Sequence, residues 1–224
     1  MIDLERLRGR LIVSVQAEDE SVIGEPATIA LLARCVVQNG AAAVRIEGLE
    51  RIRAVRAAVD VPILGLLKGV RSARAPYITT TVEEVEALAG AGADVIAFDA
   101  TPRTRRGGAT VADLVAAARL RGRLTLADCA TADDGRRAAE AGADLVATTL
   151  AGYTSETGDC ALPALALLRA LAALHPFAVC EGGIVTPEQA GAAFAAGASA
   201  IVVGSAITNI DKLTRSFAAA CPER

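Results

Sequence analysis

The amino-acid sequence predicts an α/β protein built as a single (β/α)8 TIM barrel, and three observations carry that expectation. Eight short runs rich in Val, Ile and Leu alternate with longer Ala-rich stretches of helical period, the pattern of βα units around a parallel sheet. A partial repeat stands before every second run: Asn39-Gly40-Ala41, Ala91-Gly92-Ala93-Asp94, Ala141-Gly142-Ala143-Asp144 and Ala196-Gly197-Ala198. Gly at that place suits the left-handed residue that ends a helix before the next strand. No Gly-x-Gly-x-x-Gly follows the first run, which favours a closed barrel over a doubly wound open sheet. With 224 residues, 53% of them hydrophobic, one barrel domain over residues 1–224 accounts for the chain.

In chain order, the strands are expected at Leu11 to Gln16, Ala43 to Glu47, Pro62 to Lys68, Val95 to Asp99, Leu124 to Asp128, Leu145 to Thr149, Phe177 to Glu181 and Ala200 to Gly204. Each is a branched or aliphatic run of strand length closed by a polar residue or glycine. Helical stretches are expected at Pro26 to Gln38, Thr81 to Ala89, Val111 to Leu120, Ala132 to Ala141, Pro163 to Leu174, Pro187 to Ala196 and Asp211 to Ala220.

Composition excludes several classes of function. The net charge is -3 with both signs interleaved, so no basic stripe marks a nucleic-acid partner. The most apolar window, Ala161 to Cys180, is broken by Pro163, Arg169, His175 and Pro176 and makes no membrane span. The first ten residues mix acids and bases without an apolar run of signal length, and a cytoplasmic location is expected. Five cysteines form an odd set without a Cys-x-x-Cys pair, against a disulfide framework or a zinc cluster. They read as reduced, mostly buried thiols; Cys180 as a nucleophile lacks a neighbour that sequence places to activate it.

A barrel of this kind carries its active site at the C-terminal ends of the strands. There the sequence places Ser14 and Gln16, Arg45 and Glu47, Lys68, Asp99, Asp128, Thr148 and Thr149, and Glu181. Side-chain alternation gives Ser14 and Gln16 one face, and Arg45 and Glu47 one face. Only two of the 23 basic residues are lysines, Lys68 and Lys212. Lys68, delivered by an apolar strand, suits a general base, or else a lysine reaching to solvent at a strand end. Arg45 reads as an anion ligand or as the ion-pair partner of Glu47, and Asp99 and Asp128 as site residues or as groups holding helix N-termini. Gly182 and Gly183 after the seventh strand, with Gly204 and Ser205 after the eighth, read as a phosphate cradle or as simple turn glycines. Glu181, beside that cradle and across the barrel from Lys68, would exchange a proton on one face of a sugar while Lys68 serves the other. The only histidine, His175, lies before Pro176 away from any strand end. It reads as structural, and the chemistry is expected to need no metal and no cofactor.

These residues resemble the bacterial N-acetylmannosamine-6-phosphate 2-epimerase family from about Leu11 to Asn209. The matching pieces include Ile12-Val13-Ser14-Val15-Gln16-Ala17, Pro62 to Lys68, Asp99-Ala100-Thr101, Thr148-Thr149-Leu150-Ala151-Gly152-Tyr153-Thr154, Glu181-Gly182 and Val202 to Thr208. The resemblance implies interconversion of N-acetylmannosamine 6-phosphate and N-acetylglucosamine 6-phosphate in sialic acid catabolism. It implies Lys68 and Glu181 as the acid/base pair, Gln16, Arg45, Asp128, Thr149 and Tyr153 around the sugar, and a homodimer. Gly183 stands where the family usually has Arg or Lys, Asn209 where it has a phosphate-supporting Arg, and Thr80 where proline is usual. Loss of such an arginine removes a charge-assisted contact of roughly 1.5 to 3 kcal/mol, for which Arg103, Arg105 and Arg106 are candidate substitutes. The alternatives are another phosphosugar isomerase or lyase on the same cradle, and a catalytically weak barrel that binds a phosphorylated amino sugar.

Overall fold

A computed structural model describes residues 2–222 apart from 19, 71, 73 and 74. Eight parallel strands close on themselves in chain order: β1 (Arg10–Ser14), β2 (Ala43–Glu47), β3 (Ile63–Leu66), β4 (Val95–Asp99), β5 (Leu124–Asp128), β6 (Leu145–Ala147), β7 (Ala178–Glu181) and β8 (Ala200–Val203). Each strand is followed by its helix: α1 (Pro26–Gln38), α2 (Leu49–Arg56), α3 (Val82–Ala91), α4 (Val111–Leu120), α5 (Ala132–Glu140), α6 (Leu165–Leu174), α7 (Pro187–Ala195) and α8 (Ile210–Ala218). The predicted strand β3 ends early, because Leu67–Gly69 leaves the barrel ladder. The sixth strand also ends two residues early, with Thr148 and Thr149 already outside it. Helix α2 escaped prediction because its eight residues include three arginines and bury only Ile52 and Val55.

Local chemistry sets the helix starts. Thr81, Thr110, Thr131 and Thr186 each cap a helix through a reciprocal bond with the residue three positions on, satisfying amides that the first turn leaves open. The repeat glycines Gly40, Gly92, Gly142 and Gly197 all take positive φ at the helix ends, as the repeat predicts. Two apolar layers follow from strand alternation. Ile12, Leu64, Leu66, Leu126, Val179 and Val202 fill the barrel, while Val44, Ile46, Ile96, Phe98, Val146 and Ile201 face the helices. Helix α8 differs from the rest: none of its residues is fully buried, and Phe217 is 75% exposed. Among the described residues no helix is long and apolar enough to cross a membrane.

Candidate active site

The inward parity that fills the barrel with Leu64, Leu126 and Val179 continues upward to Ser14, Arg45, Leu66, Asp99, Asp128 and Glu181 at the strand ends. Three of these side chains meet inside the barrel. Arg45 of β2, 1% exposed, forks onto Asp128 of β5, with Nη1 to Oδ1 at 3.0 Å and Nη2 to Oδ2 at 2.6 Å. Its Nη1 also donates to Oε2 of Glu181 on β7. Thr149 joins them, its hydroxyl donating to Asp128 Oδ1 at 2.6 Å and lying 3.2 Å from Glu181 Oε2. The paired geometry is what a planar guanidinium does best.

Electrostatics follow from that burial. For Arg45, burial opposes the charge, but Asp128 and Glu181 more than offset it and hold the guanidinium above the ordinary arginine range. For Glu181, burial raises the pKa, Arg45 lowers it and Asp128 raises it again, leaving the carboxyl pushed up to about 6. A carboxyl so placed changes protonation near neutral pH. Thr148 fixes its backbone: the Thr148 hydroxyl donates to Glu181 O at 2.8 Å and accepts from Glu181 N at 3.0 Å. Sequence reasoning placed Thr148 at a strand end but gave it no task.

Lys68 and Gln16 form a second group. The Lys68 amine donates to Gln16 Oε1 at 2.5 Å, and Gln16 Nε2 donates to Ser14 Oγ at 2.8 Å. Strands β3 and β7 lie four places apart in an eight-stranded ring, so Lys68 and Glu181 approach the mouth from opposite walls. The backbone of Lys68 does not belong to β3. It bridges antiparallel to Ile78, beside Thr79, a buried β-branched residue at φ 40, a conformation that costs on the order of 1 to 3 kcal/mol.

The glycines lie on the β7 and β8 side. Gly182 and Gly183 take φ 100 and 74, and a Cβ on Gly183 would stand 2.3 Å from Leu162 Cβ. The loop before α6 therefore packs where any side chain at 183 would go. A single turn headed by Gly204 and Ser205 precedes α8, closed by Ile207 N and Thr208 N onto Gly204 O at 2.9 and 3.0 Å. The turn is docked on β1, with Thr208 Oγ1 donating to Ser14 O at 2.7 Å. Tyr153 stands on the β6–α6 loop, 41% exposed, outside the ion cluster.

Several expectations are corrected. Arg45 does not pair with Glu47, which instead meets Arg51 on α2. Asp128 holds Arg45, not a helix N-terminus. Asp99, fully buried, accepts from Thr101 and Arg103, so it caps no helix and its carboxylate is engaged beside the site. Arg103 is committed to Asp99 and Arg105 to the carbonyls of Asp99 and Thr101. Both belong to the loop after β4, four strands from β8, and cannot substitute for a cation beside Gly204. Asn209 instead caps α8 at Lys212 N (2.8 Å) and donates to Glu18 (3.2 Å). Cys35, Cys160 and Cys221 are exposed and only Cys129 and Cys180 buried. Burial pushes the Cys180 thiol up to about 11, against a nucleophile. His175 is held by backbone, accepting from Phe177 N at 3.0 Å with Nε2 3.0 Å from Ala143 O.

Comparison with known proteins extends this geometry. The family described as "Putative N-acetylmannosamine-6-phosphate epimerase" matches residues 29–223. A Klebsiella pneumoniae protein named "Putative N-acetylmannosamine-6-phosphate 2-epimerase" is 43% identical over 222 residues, covering 97% of this chain and 94% of its own. A "Bifunctional enzyme NanE/NanK" of Brucella melitensis is 41% identical over 96% of this chain, which spans 41% of that longer protein. Among solved structures, the N-acetylmannosamine-6-phosphate 2-epimerase from Clostridium perfringens superposes with a TM-score of 0.92 at 36% identity, over 97% of this chain and 96% of that one.

Proposed function

The chain belongs to the N-acetylmannosamine-6-phosphate epimerase family, and on that premise we propose that it interconverts N-acetylmannosamine 6-phosphate and its C2 epimer, N-acetylglucosamine 6-phosphate, in sialic acid catabolism. The opened sugar loses its C2 proton to one of Lys68 and Glu181 and regains a proton from the other on the opposite face. The observation that supports this reading is that Lys68 follows β3 and Glu181 ends β7, strands four places apart in the ring, because inversion at one carbon needs access from both sides.

Each neighbour then has a task. Removal of the C2 proton puts negative charge on the aldehyde oxygen, and the Arg45 guanidinium is the fixed positive partner for it. Asp128 and Thr149 orient Arg45, and Gln16 orients the Lys68 amine. Glu181 near pH 6 gives up and takes back a proton with little driving force lost in either direction. Gly182, Gly183, Gly204 and Ser205 offer bare backbone and a turn N-terminus to the phosphate, and Tyr153 borders the sugar from the β6–α6 loop. The reading includes independence from metal, for which unchanged turnover after chelation is the expected result. A homodimer is part of it too, supported by the exposed Ile210 and Phe217 on α8 and checked by light scattering of the wild type and Phe217→Glu.

The deciding experiment incubates the protein with N-acetylmannosamine 6-phosphate in deuterated water and follows C2 by NMR. The expected product is N-acetylglucosamine 6-phosphate carrying deuterium at C2, with Lys68→Ala and Glu181→Ala both inactive. Product that keeps its C2 protium, or full turnover by either variant, overturns the assignment. No exchange from the folded wild-type chain points to another phosphosugar or to binding alone.

A further inference from the structure

We propose that Thr79 and Asp99 are positioning residues for Lys68, holding the short antiparallel arm that carries its amine over the barrel mouth. The inference rests on the acid/base assignment of Lys68 above.

The barrel by itself does not place this lysine. The β2–β3 ladder ends at Leu66 and the β3–β4 ladder at Gly65, so Lys68 stands beyond the last strand contact on either side. Its neighbours are held by a second segment instead. Leu67 O accepts from Thr79 N at 2.9 Å, Leu67 N donates to Thr79 Oγ1 at 3.2 Å, and Gly69 N donates to Tyr77 O at 2.7 Å. Thr79 makes both of its bonds from φ 40 while 1% exposed. An outlier of that kind persists only where the surroundings impose it, and such outliers gather where geometry matters to function.

Asp99 fixes the segment in turn. Its backbone N–H donates to Ile78 O at 2.8 Å, and its Oδ2 accepts from Tyr77 N at 3.4 Å and from Arg103 Nη2 at 2.7 Å. Arg103 Nη1 reaches back to Ser72 O at 2.9 Å, catching the far limb of the same loop. Asp99 stands in register with Asp128 on β5, so the strand end that holds the lysine arm adjoins the one that holds Arg45. The lysine stem is flexible, and fixing its backbone is what leaves the amine a short arc about Gln16.

The test uses the full chain with Thr79→Gly, Thr79→Ser and Asp99→Asn. Glycine accepts φ 40 and keeps the N–H but lacks the hydroxyl that serves Leu67 N, while serine keeps both. The readouts are thermal midpoint, kcat and KM, and the pH titration of Lys68 Cε in protein labelled with carbon-13 lysine. The chain has two lysines, and Lys212→Arg assigns the signals. Thr79→Gly is expected to keep its midpoint, lose roughly 10- to 100-fold in kcat with KM within about twofold, and shift the Lys68 titration but not that of Lys212. Thr79→Ser restores kcat. If Thr79→Gly loses stability, Asp99→Asn is read by the same criteria. Folded Thr79→Gly or Asp99→Asn protein with wild-type kcat and an unmoved Lys68 titration overturns the proposal, as does a kcat that falls only in step with the midpoint. Should Lys68→Ala keep full turnover, the acid/base reading fails separately, and the titration still reports whether Thr79 places the amine.

Discussion

Replacing Glu181 by Gln separates the cost of this carboxyl to the fold from its use in the reaction. The Arg45 Nη1 group donates to Oε2, and the Thr149 hydroxyl, whose proton goes to Asp128, lies 3.2 Å from the same oxygen; an amide oxygen accepts from Arg45 in the same place. What changes is ionisation. Burial, the largest influence on Glu181, lifts its pKa from 4.5 to about 6, and such a rise disfavours the ionised fold by about 2 kcal/mol. The sign is set by the direction of the shift: the folded chain binds the proton more tightly than the unfolded chain. Stability is therefore full below the ordinary carboxyl pKa and falls as pH rises through about 6. The amide of Glu181→Gln does not ionise, so wild type and variant should match near pH 4, diverge between the ordinary carboxyl pKa and about 6, and keep a constant gap above that. At pH 8 the variant is expected to be more stable by up to about 2 kcal/mol, or about 4 to 8 °C in Tm for a chain of this size, while C2 exchange falls roughly 10²- to 10⁴-fold. Denaturant unfolding at pH 4, 6 and 8 beside the deuterium assay reads both. A variant less stable than wild type at pH 8 would refute the claim that burial outweighs Arg45 here, and undiminished exchange would refute the role of Glu181 as acid and base.

Arg45→Met leaves Asp128 and Glu181 buried without their cation, and denaturant unfolding at pH 8 should show a loss of about 3 to 5 kcal/mol, smaller at pH 5, below the Glu181 pKa of about 6. Gly183→Ala combines a Cβ 2.3 Å from Leu162 Cβ with φ 74; thermal unfolding should reveal a loss of about 1 to 3 kcal/mol, and saturation kinetics a raised KM. A thiol reagent should modify Cys35, Cys160 and Cys221 rapidly in the native chain, and reach Cys129 and Cys180 only in denaturant; fast native reaction at the latter pair would contradict their burial.

Much of this was readable because a barrel strand obeys a period of two. Arg45, Asp128 and Glu181 were singled out as polar endings of apolar runs, and those endings are where inward parity meets solvent. Parity says which wall a side chain leaves, not which neighbour it meets. Glu47 shares the inward parity of Arg45 yet meets Arg51 of a helix too arginine-rich to register as one. Arg45 found its partners three and five strands further on, 83 and 136 residues away in sequence. Thr79 was illegible for a different reason. Nothing in the residue type announces positive φ, and its pairing with Leu67 depends on a loop that leaves the sheet. The exposed cysteines show the same limit, since a thiol on a helix carries no mark of the face it occupies.

The Arg45 cluster also bears on how the barrel comes together. A chain emerging from its N-terminus presents β2 before either partner strand, with a guanidinium bound for the interior and no counter-ion yet made. Asp128 arrives with the fifth strand and Glu181 only with the seventh. Until Asp128 is in place the lumen cannot shed water around Arg45 without stranding a charge, which favours an open, hydrated centre in the first four units. Burial of Arg45 is thereby tied to the arrival of β5, and a fragment that ends before it carries an unpaired charge at its centre as well as an incomplete active site.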